Sequence, residues 1–383
     1  VVKAAVNQNL GVYIHIPFCA RKCHYCDFPS RERKLSLRDE YLDRLIQEMR
    51  GFTRGKKEEA NTVFIGGGTP SLLKDEQLRR LMRSVKDNYF LSDDCEISME
   101  SNPESLRESF LDTAIASGVN RLSMGVQATQ PRLLSILGRR HTKEQVQAVV
   151  AMSRKAGFQN INLDLMFGLP TQTLQDFENT LNFALSLEVE HLSVYGLIVE
   201  EGTPMFAWVE EGTYFLPSQE EERAMYDLAL KKLSQNGYRQ YEISNFSKPG
   251  KECRHNLGTW TRQMYHGYGV GAAGLIAKDI RRQNVLSFDD YLLGKEAEIQ
   301  TLSQKEQMFE SLMLGLRMTK GVSKQVFKEY YGKSLKEVFE QRFDASINKG
   351  LVKETNTHVF LTRRGMDLMN QVLLDLMDDD CLK

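Results

Sequence analysis

The sequence predicts an α/β fold built on a parallel sheet or barrel, followed by a smaller helical module. Three observations carry this expectation. Six apolar segments of strand length alternate with helical periods between residues 12 and 195, an order that sets parallel strands side by side with crossover helices. Several of these segments end in glycine or polar residues, as Phe64-Ile-Gly-Gly-Gly-Thr-Pro70 does, and barrels place their ligands at such strand ends. From residue 303 the period becomes helical, with one short strand near the end. Six units are too few for the usual eight-stranded barrel.

Taken in order, residues 12–16 form the first strand, and Pro17 opens a loop that runs through basic and polar residues to about residue 34. Residues 35–50 read as a helix, with Leu37, Tyr41, Leu42, Leu45, Ile46 and Met49 on one side. Further strands are expected at 62–65, 95–99, 121–124, 160–166 and 191–195, and helices at 74–89, 104–117, 143–156 and 173–187. Gly157 suits a left-handed helix end. Residues 202–217 set Phe206, Trp208, Tyr214 and Phe215 among glycines and prolines and read as an excursion from the barrel. A helix at 219–236 is followed by strand-like residues 238–246 and a weakly periodic stretch to 300. Within it, Gly267-Tyr-Gly-Val-Gly-Ala-Ala-Gly274 lacks the downstream acidic residue of a dinucleotide loop, so close backbone approach explains its glycines better. Helices at 303–317, 324–330, 336–349 and 363–377 and a strand at 359–362 complete the chain. The expected organisation is a barrel over 1–200, an extension over 201–300 and a C-terminal, winged-helix-like module over 301–383. Mixed charges and the acidic Asp378-Asp-Asp380 give that module a packing or partner role rather than a DNA-binding one.

Composition narrows the function classes. The 383 residues are 41% hydrophobic and 26% charged, with a formal net charge of −1, which argues against a bulk nucleic-acid binder. No apolar run reaches membrane-span length, and residues 1–10 hold no signal-peptide core. Of six cysteines, three cluster and Cys95, Cys253 and Cys381 stand apart, which is no disulfide framework. A reducing, cytoplasmic setting is expected.

The clustered cysteines form Cys19-Ala-Arg-Lys-Cys23-His-Tyr-Cys26, at offsets of four and three. Thiolates suit iron–sulfur clusters and zinc, and three ligands are one short of a closed tetrahedral site. The spacing alone also admits a partial zinc site, hence a zinc-dependent interaction module, or three unrelated buried cysteines. Arg21 and Lys22 read equally as charges tuning a bound cluster and as solvated loop residues.

Together with Gly11-Val-Tyr-Ile-His-Ile-Pro-Phe18 before it and Phe64–Pro70 after it, the loop resembles the radical S-adenosylmethionine (radical SAM) superfamily. Within that superfamily the chain is similar, from about residue 10 to about residue 370, to the group of the oxygen-independent coproporphyrinogen III oxidases, and most to its haem chaperone (HemW-like) branch. The resemblance implies an incomplete (β/α)6 barrel, open on one side. It implies a [4Fe–4S] cluster on Cys19, Cys23 and Cys26, with S-adenosylmethionine on the remaining iron. Gly66, Gly67, Gly68 and Thr69 would meet the cosubstrate's amino end, and Glu100, Gln127, Arg139 and Asp164 its ribose and methionine parts. Carboxylates suit hydroxyls and an ammonium, and arginine suits a carboxylate; Arg140 leaves the register at that position open. Tyr13 and His15 alternate with Val12 and Ile14 and are expected to face the barrel mouth, while Phe28 is placed to pack against adenine.

The related oxidases extend the motif to CxxxCxxCxC and carry a longer N-terminal cover. Here Phe28 takes the last position and eighteen residues precede Cys19. The chaperone branch has phenylalanine there and a downstream His–Asn motif, matched by Arg254-His-Asn-Leu-Gly-Thr-Trp260, with Thr259 where the branch has tyrosine. His255 is therefore the expected haem ligand and Cys253 its alternative, a structural histidine in a polar turn being the other reading, with Trp260, Tyr265 and Tyr268 as apolar surface for a macrocycle or as local core. The expected function is haem binding and delivery to apo-haemoproteins. Oxygen-independent coproporphyrinogen III oxidation is the alternative, and radical haem ring opening a more distant one. Expected partners are client haemoproteins and an electron donor, with peripheral membrane contact through a client, no nucleic acid, and room for a homodimer.

Overall fold

The computed structural model describes residues 10–32 and 34–377. Asp378–Asp380, Cys381 and the leader reading of residues 1–9 lie outside the described residues. Six strands, β1 (Leu10–Ile16), β2 (Glu58–Gly67), β3 (Tyr89–Ser101), β4 (Arg121–Gln127), β5 (Ile161–Phe167) and β6 (His191–Gly196), lie parallel and in chain order. The register explains the pattern of residues. Ile14, Ile65, Met99, Leu122 and Ile161 stand opposite one another across five strands, all buried, and face the surrounding helices. Each such side chain contributes about 1.5–3 kcal/mol of burial. One residue out of phase, the same strands put Tyr13 opposite Phe64, Ser98 and Arg121, and Glu100 opposite Ser123, Asn162 and His191, on the inner face. Strand alternation thus gives the sheet an apolar back and a polar lumen.

Helices α1 (Arg38–Thr53), α2 (Asp75–Asn88), α3 (Glu108–Ser117), α4 (Pro131–Ile136), α5 (Lys143–Ala156) and α6 (Leu174–Ser186) fill the crossovers. Gly157 ends α5 at φ 113°, as its residue type foretold. The helix expected from 104 starts at Glu108, because Pro103–Ser105 form a separate 3-10 turn whose Asn102 and Ser105 cap each other. After β6 come α7 (Pro204–Glu210), inside the predicted excursion, and α8 (Gln219–Gln235).

The sheet does not stop at six strands. Beside β6 runs a short antiparallel hairpin, β7 (Arg239–Gln240) and β8 (Asn245–Ser247). Beside β1 runs β9 (Tyr265–Tyr268), a further parallel strand, followed antiparallel by β10 (Ala273–Ala277), β11 (Ile280–Gln283) and β12 (Glu298–Thr301). The twelve-stranded sheet ends in β12 and β7, which do not pair, so the barrel is open. Weak periodicity over 247–300 concealed these strands. Close approach accounts for the glycines there: a Cβ on Gly267 would lie 1.8 Å from the Ala273 carbonyl oxygen. Before β9 sits α9 (Arg254–Trp260), and after β11 sits α10 (Phe288–Leu292).

The C-terminal region has its own core, with Leu312, Phe327, Phe339, Leu351 and Val372 among its members. Helices α11 (Gln304–Gly315), α12 (Lys324–Tyr331) and α13 (Leu335–Asn348) pack with a three-stranded antiparallel sheet, β13 (Val322–Ser323), β14 (Val352–Glu354) and β15 (His358–Leu361). The single last helix expected from the sequence is two, α14 (Arg363–Asp367) and α15 (Met369–Leu376), broken at Leu368. Among the described residues no helix is long and apolar enough to cross a membrane.

Candidate functional site

The three-cysteine loop leaves β1 at its carboxyl end. Phe18–Cys19 and Arg31–Glu32 form a short parallel pair that closes its base. Lys22 Nζ donates to the Phe28 carbonyl at 3.1 Å across the loop. His24 ties the loop outward: its Nδ1 lies 2.9 Å from the Ile136 carbonyl oxygen, its N–H donates to Leu137, and its carbonyl accepts from Met205. Cys19 is buried, with the Thr69 hydroxyl 3.9 Å from its sulfur, while Cys23 and Cys26 are half-buried. Burial pushes the Cys26 thiol up to about 11, and the neighbouring Cys23 adds to this; burial also raises the Cys19 thiol. Among the described residues, no three His, Cys, Asp or Glu side chains are placed to hold a single metal ion, this trio included. A cluster, whose liganding sulfurs stand on different irons and farther apart, fits three thiols near enough to influence one another.

The glycines of β2 face this loop because nothing larger fits. A Cβ on Gly68 would be 2.7 Å from the Phe18 carbonyl oxygen and 3.0 Å from the Cys19 sulfur. Gly67 has φ 111°, and a Cβ there would lie 2.5 Å from the His15 ring. Its N–H donates to Glu100 Oε2 at 2.9 Å. Burial and then the nearby Asp164 raise the Glu100 carboxyl to about 7. Asp164 accepts from Asn162 at 2.8 Å and from Ser123 at 3.3 Å, and burial raises its pKa as well. Gln127 ends β4 in the left-handed region, φ 65°, and accepts from the Tyr195 hydroxyl at 3.1 Å.

Of the two adjacent arginines, Arg139 is half-buried and Arg140 exposed, and both line the cavity beside Cys23. Arg139 donates to Asn102 Oδ1, and Asn102 in turn donates to the Thr69 hydroxyl at 3.0 Å. Burial works against the Arg139 charge, but Tyr25 and Cys23 alongside outweigh it and hold its pKa above the ordinary arginine value. Arg139, Asn102, Thr69 and Cys23 line one cavity of about 320 Å³. Glu100, Asp164, Tyr13, Arg121 and His255 line a second, the lumen, of about 390 Å³. Sequence reasoning missed Asn102, Tyr25, Tyr195 and Arg121. Asn102 lies two residues beyond Glu100 in a segment already marked, so period-two alternation could have found it.

Of the remaining candidates, Tyr13, His255 and Tyr265 share the lumen, and the others stand apart from it. Tyr13 lines the lumen, its hydroxyl 2.9 Å from His15 Nδ1; His15 is buried and its Nε2 lies 3.0 Å from the Pro29 carbonyl oxygen. Phe28 is 58% exposed. His255 stacks on Phe64 with ring centres 5.2 Å apart, and its Nδ1 lies 2.9 Å from the Thr62 hydroxyl. Burial lowers its pKa to about 4, so the imidazole is neutral. Cys253 is fully buried with its sulfur 3.5 Å from Glu96 Oε1, and burial pushes its thiol up to about 12. Tyr268 is a core residue bonded to Tyr89 at 2.5 Å, and Trp260 faces away from the lumen into a third cavity.

A three-cysteine loop over glycine-ended parallel strands, with carboxylates and an arginine at the neighbouring strand ends, defines a radical SAM protein. The Radical SAM superfamily model matches residues 13–184, and the HemN C-terminal domain model matches 302–368. Coproporphyrinogen III oxidase (HemN) from Escherichia coli, a solved structure, superposes with a TM-score of 0.84 at 24% identity, over 96% of this chain and 90% of that one, which shows the shared fold. Heme chaperone HemW of Bacillus subtilis is 42% identical over 94% of this chain and 97% of its own length. Heme chaperone HemW of Lactococcus lactis is 35% identical over 97% and 98%. The chain belongs to the HemW family of the radical SAM superfamily.

Proposed function

We propose that this chain binds a [4Fe–4S] cluster, S-adenosylmethionine and haem, and delivers haem to apo-haemoproteins. The observation that carries this reading is the joint placement of the cysteine loop and the strand-end groups in a chain alike over its length to curated heme chaperones. Cys19, Cys23 and Cys26 would hold the cluster. Arg139, fixed by Asn102, suits a carboxylate, while the Glu100–Asp164 pair suits an ammonium and hydroxyls. Bound there, cluster and cosubstrate supply one-electron chemistry at a sulfonium carbon. The residues around them bind, orient and exclude water. Cys253 is a poor haem ligand, because a thiol raised to about 12 beside Glu96 is not a thiolate at neutral pH.

The alternative, oxidation of coproporphyrinogen III, is disfavoured by Phe28, which stands out in solvent where the related oxidases carry a further cysteine. The test is anaerobic reconstitution of wild type and the Cys19→Ala, Cys23→Ala and Cys26→Ala variants, followed by haem titration. Cluster iron and sulfide should be lost in each variant. Wild type that holds no cluster, or no haem, would defeat the reading.

A further inference from the structure

Helix α9 divides two cavities. His255, Asn256 and Thr259 line the lumen, whereas Arg254, Leu257, Gly258 and Thr261 line a larger cavity of about 520 Å³ between the barrel and the C-terminal region. That volume falls within the range of sites for sizeable rigid ligands. Its far wall is aromatic, with Phe327, Tyr330 and Tyr331 from α12, and Trp260 completes it on the barrel side. Its charged lining residues are Arg254, which pairs with Asp94, Arg262 and Lys320, with no Asp or Glu among the described lining residues.

Arg262 is 5% exposed. Its Nε donates to Glu310 Oε2 at 2.6 Å, while Nη1 and Nη2 are buried with the Tyr330 hydroxyl beside the guanidinium and no second carboxylate, and the indole Nε1 of Trp260 makes no hydrogen bond among the described residues. Glu310 is shared with Arg281, so the other half of the guanidinium fork meets only the Tyr330 hydroxyl and no anion. Unmatched buried donors are rare and call for an acceptor. A flat, largely apolar molecule carrying carboxylates answers aromatic walls, basic lining and spare donors together. The lumen answers them less well, because two carboxyl groups, Glu100 and Asp164, line it beside a single guanidinium, Arg121.

Resting on the chaperone reading, we propose that this cavity is the haem site, with a propionate on the outer edge of Arg262, beside the Tyr330 hydroxyl, and the ring against Trp260 and Tyr330. The test titrates haem and its dimethyl ester into the full-length chain and follows the Soret band. Arg262→Leu should weaken haem binding about tenfold, the worth of a charge-assisted hydrogen bond, yet leave the ester's affinity equal to that of wild type. Val326 lines the cavity at 59% exposure, so Val326→Trp should obstruct it without touching either core and weaken both ligands. If Arg262→Leu does not fold, Val326→Trp decides alone. Haem binding unchanged in Val326→Trp, or lost only in His255→Ala, would overturn the assignment and place haem elsewhere. Wild type that binds no haem would instead defeat the chaperone reading itself.

Discussion

Glu100 is the residue whose chemistry is most sharply set by its surroundings. Its carboxyl is raised from 4.5 to about 7 by burial and by Asp164. Between those pH values the folded chain keeps a proton that the unfolded chain releases. Stability therefore falls as pH rises from about 4.5 to about 7, by roughly 1–3 kcal/mol for this group. Glu100→Gln should remove that slope, as urea melts at pH 5 and pH 8 would show. An ammonium ligand favours the ionised pair, so S-adenosylmethionine should bind more tightly above about pH 7 than at pH 6 in wild type and show less difference in the variant. Asp164→Asn should weaken cosubstrate binding about tenfold or more with the cluster's absorption unchanged, and calorimetry under anaerobic conditions would measure it. Glu100, Gln127 and Asp164 were legible because they stand near the ends of apolar strands and, like Arg139 in the loop after α4, match positions of the family the sequence resembles. Asn102, Tyr25 and Tyr195 were not, because their partners, Arg139 and Gln127, come from other strands and loops.

At the scale of elements, α9 depends on a residue far away in sequence. Glu96 of β3 accepts from the backbone N–H of Arg254 at 3.0 Å and of His255 at 3.2 Å, and from the Cys253 thiol at 3.5 Å. One carboxylate thus caps the helix that separates the two cavities. Glu96→Ala should cost about 2 kcal/mol, seen as a lower thermal midpoint, and should loosen the walls of both cavities. This helix was invisible in the sequence because seven residues containing Gly258 carry little period and its N-terminal partner lies 158 positions earlier. The parallel strands and α5 were legible because apolar runs and Gly157 signal locally. Gly67→Ala should fail on two counts, its positive φ and the His15 ring at 2.5 Å, and should lower both stability and cosubstrate affinity.

Over the whole molecule, an open sheet joins a polar lumen to a second core, and the junction between the two holds the third cavity. The six-stranded half followed directly from alternation of strand and helix. The half from 239 to 301 did not, since its strands have two to five residues and are held by neighbours distant in the chain. The helices of the C-terminal region were legible from their period, but their partnership with α9 was not. A carrier must release what it binds, and a ligand held between two bodies, rather than sealed inside one, can be released by a small separation. The most direct measurement loads the cluster-containing chain with haem under anaerobic conditions, adds an apo-haemoprotein, and follows the Soret band of each protein after separation. Haem should move to the apo-protein, and coproporphyrinogen III offered with reductant and S-adenosylmethionine should remain unchanged. Haem that stays on the chain, together with vinyl-bearing product formed from coproporphyrinogen III, would contradict the chaperone function.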